Sequence, residues 1–210
     1  MKVFVGGATG RVGQKLTETL AKEGHEVVAA SRHPLPATQD NVIPVEFDFH
    51  DDVAAMMPKL EGCDAVFFVA GSRGKDLLQT DAFGAVKLMK AADAQSINRF
   101  IMLSSMFTLE PEKWAQEPGI ADITDYNIAK MFADHWLAQT DLDWTIVQAG
   151  LLREEDPTGK IVINPDHEGP VAIPDIASTL AAALPMPTTY RQVIRVKNGE
   201  TPIADALAAV

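Results

Sequence analysis

The sequence predicts an α/β protein built on a doubly wound, mostly parallel sheet, and three observations carry that prediction. Short apolar runs alternate with amphipathic stretches along the chain, the pattern of strands joined by crossover helices. Glycines at positions 7, 10 and 13 follow the first apolar run directly, where a strand must turn into a helix. The run Asp64–Ala70, DAVFFVA, is apolar without alternation, as expected of a strand covered on both faces.

Each element follows from local pattern. In the opening MKVFVGGATGRVG, Val3, Phe4 and Val5 read as a buried strand, and Val12, Leu16 and Leu20 then fall on one helical face. Gly24 sits where a C′ glycine closes that helix. Glu26–Ser31, EVVAAS, is the second strand, with Arg32 at its end. Residues 33–41 hold Pro34 and Pro36 and read as a loop. Val42–Phe47 is a third strand ending at Asp48, and Asp51–Leu60 is a short helix with Asp51 or Asp52 placed to cap it. After the Asp64–Ala70 strand, a long helix fits Lys75–Ala94, with Gly84 inside it for close packing. Arg99–Ser104 and Asp143–Gln148 are the fifth and sixth strands, joined by a helix over Asp125–Thr140. Beyond Gly150 the pattern loosens, leaving short strands at Lys160–Asn164 and Val193–Val196 around a helix at Pro174–Leu184. The expectation is about seven strands with helices on both faces. Residues 1–210 read as a single domain, because the stretch past the sixth strand is too short for a second one. Residues 150–190 are expected to wall one side of a cleft at the C-terminal edge of the sheet, where open α/β folds place their ligands.

Composition excludes several classes of function. With 18 basic and 29 acidic residues the net charge is −11, which disfavours nucleic acid and anionic membranes as partners. Cys63 is the single cysteine, so no intrachain disulfide is possible. The five histidines show no metal-ligand spacing, and no metal is expected. The chain opens on a core strand and carries no apolar run long enough to span a bilayer, so a cytoplasmic protein is expected. Monomer and homodimer both stay open.

The glycine triplet carries the first chemistry. One glycine allows a sharp turn with positive φ, one lets backbone N–H groups approach a pyrophosphate, and one lets helix and strand pack closely. Gly7, Ala8, Thr9, Gly10, Arg11, Val12 and Gly13 are therefore the candidate cradle, with the helix N-terminus facing the phosphates. An NAD-selective site wants a carboxylate after the second strand; this chain offers Ser31 and Arg32, with Arg11 nearby in the loop. A guanidinium can fork onto a 2′-phosphate, so NADP(H) is favoured over NAD(H). Asp48 and Phe49 are placed to contact the adenine edge, although Asp48 is equally suited to capping a helix. Ala70 and Gly71 end the fourth strand with small residues that let backbone pass close to the cofactor.

Tyr126 and Lys130 form a second constellation, four residues apart on one helix face. An ammonium beside a phenol should lower its pKa and make it a usable acid or base near neutrality. Ser104 and Ser105 end the preceding strand, where one hydroxyl can meet a substrate carbonyl. Residues 106–124 contain Met106, Phe107, Leu109 and Trp114 and suit equally an active-site lid or a packed loop. Glu154, Glu155 and Asp156 read as a solvated turn.

On these residues the chain resembles the short-chain dehydrogenase/reductase superfamily over its whole length. The spacing Gly7-x-x-Gly10-x-x-Gly13 is similar to that of the extended and atypical branches. The stretches QAGLL (148–152), IPDIA (173–177) and GETPIADAL (199–207) resemble the atypical NAD(P)H-binding, NmrA-like group, which includes epimerase-like members. The resemblance implies a Rossmann-type fold and an NADP(H)-dependent oxidoreductase acting on a small-molecule substrate. Epimerase or dehydratase chemistry, or a non-catalytic dinucleotide sensor, are its alternatives. The superfamily's catalytic serine falls on Ser104 or Ser105, its tyrosine on Tyr126 and its lysine on Lys130, which would also hold the nicotinamide ribose. Its fourth position, usually asparagine, falls on Asp81, which when ionised accepts hydrogen bonds but cannot donate them. The short C-terminal region also argues against a typical nucleotide-sugar epimerase.

Overall fold

A computed structural model of the chain describes residues 1–37 and 39–210; Thr38, in the proline-bearing loop, lies outside the described residues. The first half contains β1 (Lys2–Gly6), α1 (Arg11–Lys22), β2 (Glu26–Ser31), β3 (Val42–Glu46), α2 (Val53–Met56) and β4 (Ala65–Phe68). A π-helical turn, Leu77–Ala82, leads into α3 (Phe83–Ala94), followed by β5 (Arg99–Ser105), α4 (Pro118–Ala121), α5 (Thr124–Ala138) and β6 (Asp143–Ala149). The remainder holds β7 (Leu151–Arg153), β8 (Lys160–Ile163), β9 (Pro170–Ala172), α6 (Ile173–Ala183), β10 (Gln192–Asn198), β11 (Thr201–Pro202) and α7 (Ile203–Ala208).

The main sheet runs β11-β8-β10-β6-β5-β4-β1-β2-β3. From β3 across to β10 every neighbouring pair is parallel, and only β8 runs against its neighbours β10 and β11. Strand order reverses between β1 and β4. Crossovers therefore leave these two strands in opposite directions and open a crevice at their C-terminal ends. Alternation through the pleat splits the core between the two faces. Val3, Val5, Phe67 and Ile101 join Leu16, Leu20, Ile176 and Leu180 on the face covered by α1 and α6. Phe4, Val66, Phe68 and Phe100 join Leu88, Met89, Ala133 and Leu137 under α3 and α5.

Several boundaries differ from the sequence reading. The main sheet has nine strands rather than about seven, and β7 pairs with β9 in a separate two-stranded sheet. The strands not read from the sequence, β7, β9 and β11, are two or three residues long, and segments that short show no readable alternation. The helix expected from Lys75 starts at Leu77 as a π turn. At Gly84 an added Cβ would stand 2.7 Å from the Gln79 carbonyl and 2.9 Å from Phe49 Cβ, so a side chain there has no room between the π turn and the loop after β3. The helix after β3 is half 3₁₀ (Met57–Leu60), and Asp52 caps it, accepting from Ala55 N at 2.8 Å. Asp48 instead holds the preceding turn, accepting from His50 N at 3.0 Å. Among the described residues no helix is long and apolar enough to cross a membrane.

Candidate active site

The glycine loop at the end of β1 is shaped by contacts that exclude side chains. Gly7 has φ +94°, and a Cβ there would lie 2.7 Å from Ala70 Cα. At Gly13 a Cβ would fall 2.1 Å from the Gly7 carbonyl oxygen, so this glycine presses α1 onto the loop. Gly10 caps α1 with extended backbone and no side-chain cap, leaving first-turn N–H groups without intrahelical partners. Ala8 and Val12 turn their side chains into the core and can offer only backbone to a ligand. Gln14 Nε2 ties the loop by donating to the Thr9 carbonyl at 2.9 Å.

A cleft of about 490 Å³ opens beside this loop, lined by Gly7, Thr9, Gly10, Ser31, Arg32, Asp48, Phe49, Ala70 and Gly71, together with Ser72, Asp76 and Thr80. The Oγ atoms of Ser31 and Ser72 are buried there without a partner among the described residues. Orphaned hydroxyls, a side-chain-free loop and a guanidinium suit the ribose and phosphates of a dinucleotide. Arg11 takes a different place from Arg32. It lines a second cleft and contacts Glu154 at 3.5 Å, and does not line the cleft that holds Ser31 and Arg32. Asp76 accepts from Thr80 Oγ1 at 2.5 Å and contacts His50 Nε2 at 2.7 Å.

The second cleft, about 200 Å³, is lined by Ser104, Ser105 and Tyr126 together with Leu103, Met106, Ile120, Ile123, Leu151 and Leu152. The two serines separate by role. Ser104 is buried and donates to Asp134 Oδ2 at 2.8 Å, whereas Ser105, on the opposite pleat, is only partly buried and its hydroxyl makes no hydrogen bond among the described residues. Lys130 lies under the cleft floor, with Nζ donating to the carbonyls of Leu103 at 3.2 Å and Ala70 at 3.4 Å. Its Nζ stands 5.9 Å from the Tyr126 ring centre. Asp81, fully buried in the π turn, accepts from Ser72 N at 3.0 Å through Oδ2, while Oδ1 has no partner. It thereby pins the loop after Gly71, to whose added Cβ its Oδ1 would stand at 3.6 Å.

Electrostatics overturn one expectation. Burial, reinforced by the Asp81 and Asp134 carboxylates, raises the Tyr126 phenol well above its ordinary range. Lys130 was expected to lower it. Burial instead pulls the Lys130 ammonium itself downward, against the attraction of the same carboxylates. Tyr126 is thus held as a phenol at neutral pH. Sequence reasoning missed Asp134, which completes the series Tyr126, Lys130, Asp134 at intervals of four on α5. The period itself was the available signal. Asp134 accepts from Ser104, from Thr108 Oγ1 and from Gln148 Nε2 at 3.2 Å, and burial pushes its carboxyl up to about 6. Residues 106–124 also divide: Met106, Phe107 and Ile120 form a small buried cluster, while Met106, Ile120 and Ile123 wall the second cleft.

Residues 7–187 match the NAD(P)H-binding family. The chain belongs to that family. That membership agrees with the resemblance to the atypical, NmrA-like short-chain dehydrogenase/reductases carried by the glycine spacing and by residues 148–152, 173–177 and 199–207. The chain is 33% identical over 218 residues to the "uncharacterized sugar epimerase YhfK" of Bacillus subtilis (strain 168), covering 99% of both chains. The crystal structure of the oxidoreductase ylbE from Lactococcus lactis superposes with a TM-score of 0.96 at 41% identity, covering 100% of this chain and 96% of that one. A short-chain dehydrogenase/reductase from Veillonella parvula DSM 2008, crystallised in complex with NADP, shares the fold at a TM-score of 0.76, 19% identity and 96% coverage of each. As an NAD(P)H-binding protein, the chain takes a nicotinamide cofactor on an oxidoreductase- or epimerase-like scaffold.

Proposed function

We propose that the protein is an NADP(H)-dependent oxidoreductase that moves a hydride to or from a small carbonyl or alcohol, with reduction the favoured direction. One observation carries this reading: the Tyr126 phenol and the unengaged Ser105 hydroxyl line one small cleft, beside the glycine-loop cleft and above Lys130. A bound reduced nicotinamide would supply the hydride to the carbonyl carbon. As negative charge develops on the carbonyl oxygen, Ser105 donates a hydrogen bond to it and Tyr126 transfers its phenolic proton. Solvent then returns a proton to Tyr126. Lys130 steadies the transient phenolate through its positive charge. Protonated at neutral pH, the phenol starts a reduction as the proton donor. Ser31 and Arg32, in place of a carboxylate after β2, support the 2′-phosphorylated cofactor.

Carbonyl-dependent NADPH oxidation tests the reading. Tyr126→Phe should lose about 10²–10⁴-fold in rate, the usual worth of a positioned acid, while NADPH still binds. Full activity in that variant would remove Tyr126 from the mechanism. A second reading draws on the name of the B. subtilis relative: epimerisation of a sugar through a transient ketone, using the same residues. Turnover without net change in NADPH absorbance would favour it.

A further inference from the structure

The second cleft carries a fixed carboxylate, Glu168, among its lining residues. Across it lies the loop between β8 and β9, riveted at several points. Leu151 N donates to the Gly169 carbonyl at 2.9 Å, and Lys197 Nζ to the His167 carbonyl at 3.1 Å. Buried Glu117, just before α4, accepts from Glu168 N at 3.1 Å and contacts His167 Nδ1 at 3.0 Å. This frame fixes the Glu168 side chain, whose Oε1 accepts from Gly119 N at 2.6 Å. A Cβ at position 119 would stand 2.3 Å from that oxygen, so the carboxylate occupies space that a glycine leaves open.

Charge and size at this mouth point the same way. Glu168 makes no ion pair among the described residues, whereas Arg11, the cation lining the same cleft, is drawn to Glu154. Glu155 and Asp156 stand in the adjoining groove. Apart from Ser104, Ser105 and Tyr126, the inner wall is aliphatic or methionine. The volume, about 200 Å³, falls below the roughly 300–1,000 Å³ of sites that hold larger ligands. A nicotinamide ring sharing the cleft leaves less.

We infer that Glu168 is a specificity residue, and that the cleft takes compact, uncharged carbonyl compounds with an apolar body while rejecting phosphorylated and nucleotide-linked sugars. An anionic group entering past Ile120 and Leu151 meets a fixed, unpaired carboxylate in a partly desolvated mouth, where like charges repel strongly. A neutral ring meets apolar wall. The inference rests on the second cleft being the substrate site, as proposed above, but its test does not depend on turnover.

Calorimetric titration of NADP⁺-saturated protein provides that test, since a ketone with the oxidised cofactor cannot react. The probes are cyclohexanone, glucose 6-phosphate and uridine diphosphoglucose, each also titrated without cofactor. Cyclohexanone should bind wild type, and neither anion should compete with it. Glu168→Gln should raise the ratio of anion to ketone affinity at least about tenfold. Gly119→Ala, which keeps the carboxylate but displaces it, should raise that ratio in the same direction. The inference is overturned if either anion binds wild type more tightly than cyclohexanone, if no probe binds, or if neither variant moves the ratio. Ketone binding without NADPH-dependent turnover would instead overturn the proposed reaction and leave the selectivity standing.

Discussion

Asp134 shows how one buried side chain can organise a site and couple it to pH. Its Oδ2 gathers Ser104, Thr108 and Gln148, and Gln148 in turn accepts from Phe107 N at 3.2 Å, where the chain holds φ +60°. The carboxylate thus fixes the end of β5, the start of the following loop and the end of β6 together. Burial moves its pKa from the usual 3.8 to about 6. The native state therefore holds a proton that the unfolded chain releases. That contribution is fully present below the unfolded value and is lost as pH rises through about 6. Two pKa steps correspond to ~3 kcal/mol. Asp134→Asn should remove this component, so that stability from urea unfolding across that window changes less steeply with rising pH than in wild type. An equal slope in both proteins would mean that Asp134 titrates normally.

At the scale of elements, Arg99 performs the most joining. It is 5% exposed at the start of β5. Its guanidinium donates to the carbonyls of Ala183 at 2.6 Å, Leu184 at 3.2 Å and Asp143 at 2.7 Å, and to the hydroxyls of Thr145 at 2.8 Å and Thr189 at 3.1 Å. It also lies 4.4 Å from the Tyr190 ring centre. One side chain thereby satisfies the C-terminal carbonyls of α6 and binds that helix to the sheet. Arg99→Met should cost ~3 kcal/mol or more, because buried acceptors lose charged donors, and urea midpoints would report it. Arg99→Lys should recover little, since an ammonium cannot serve a fork of fixed directions. An unchanged midpoint in Arg99→Met would show that water replaces the guanidinium.

For the whole molecule, the −11 net charge sets the problem that the cofactor cleft must solve. An anionic dinucleotide approaches a repulsive surface, so in the proposed site its grip is assigned to local donors: the first turn of α1, Ser31 and Arg32. A ligand that binds only the native state raises stability by about 2.7 kcal/mol at one hundred times its Kd, a melting-temperature rise of about 5–10 °C for a chain of this size. NADPH should give a larger rise than NADH at equal concentration, and Arg32→Ala should erase the difference. A greater rise with NADH would assign the site to the unphosphorylated cofactor.

The sequence alone determined the alternating architecture, the glycine loop, and the pairing of Tyr126 with Lys130. Each is written in local spacing: a twofold or 3.6-fold period, a glycine where a Cβ has no room, two residues one helical turn apart. It even carried Asp134, one further interval along the same helix face. What only the tertiary structure decided was burial and direction. Whether Ser104 or Ser105 keeps a free hydroxyl depends on which pleat face meets Asp134. Whether Tyr126 is lowered by Lys130 or raised by its surroundings depends on desolvation and on two carboxylates, Asp134 from its own helix and Asp81 brought from the π turn. The strands β7, β9 and β11 and the placing of Glu168 on Gly119 likewise join residues far apart in the chain. Local pattern encodes which faces are apolar, whereas the sign of a pKa shift or the aim of a carboxylate is fixed by neighbours that only folding supplies.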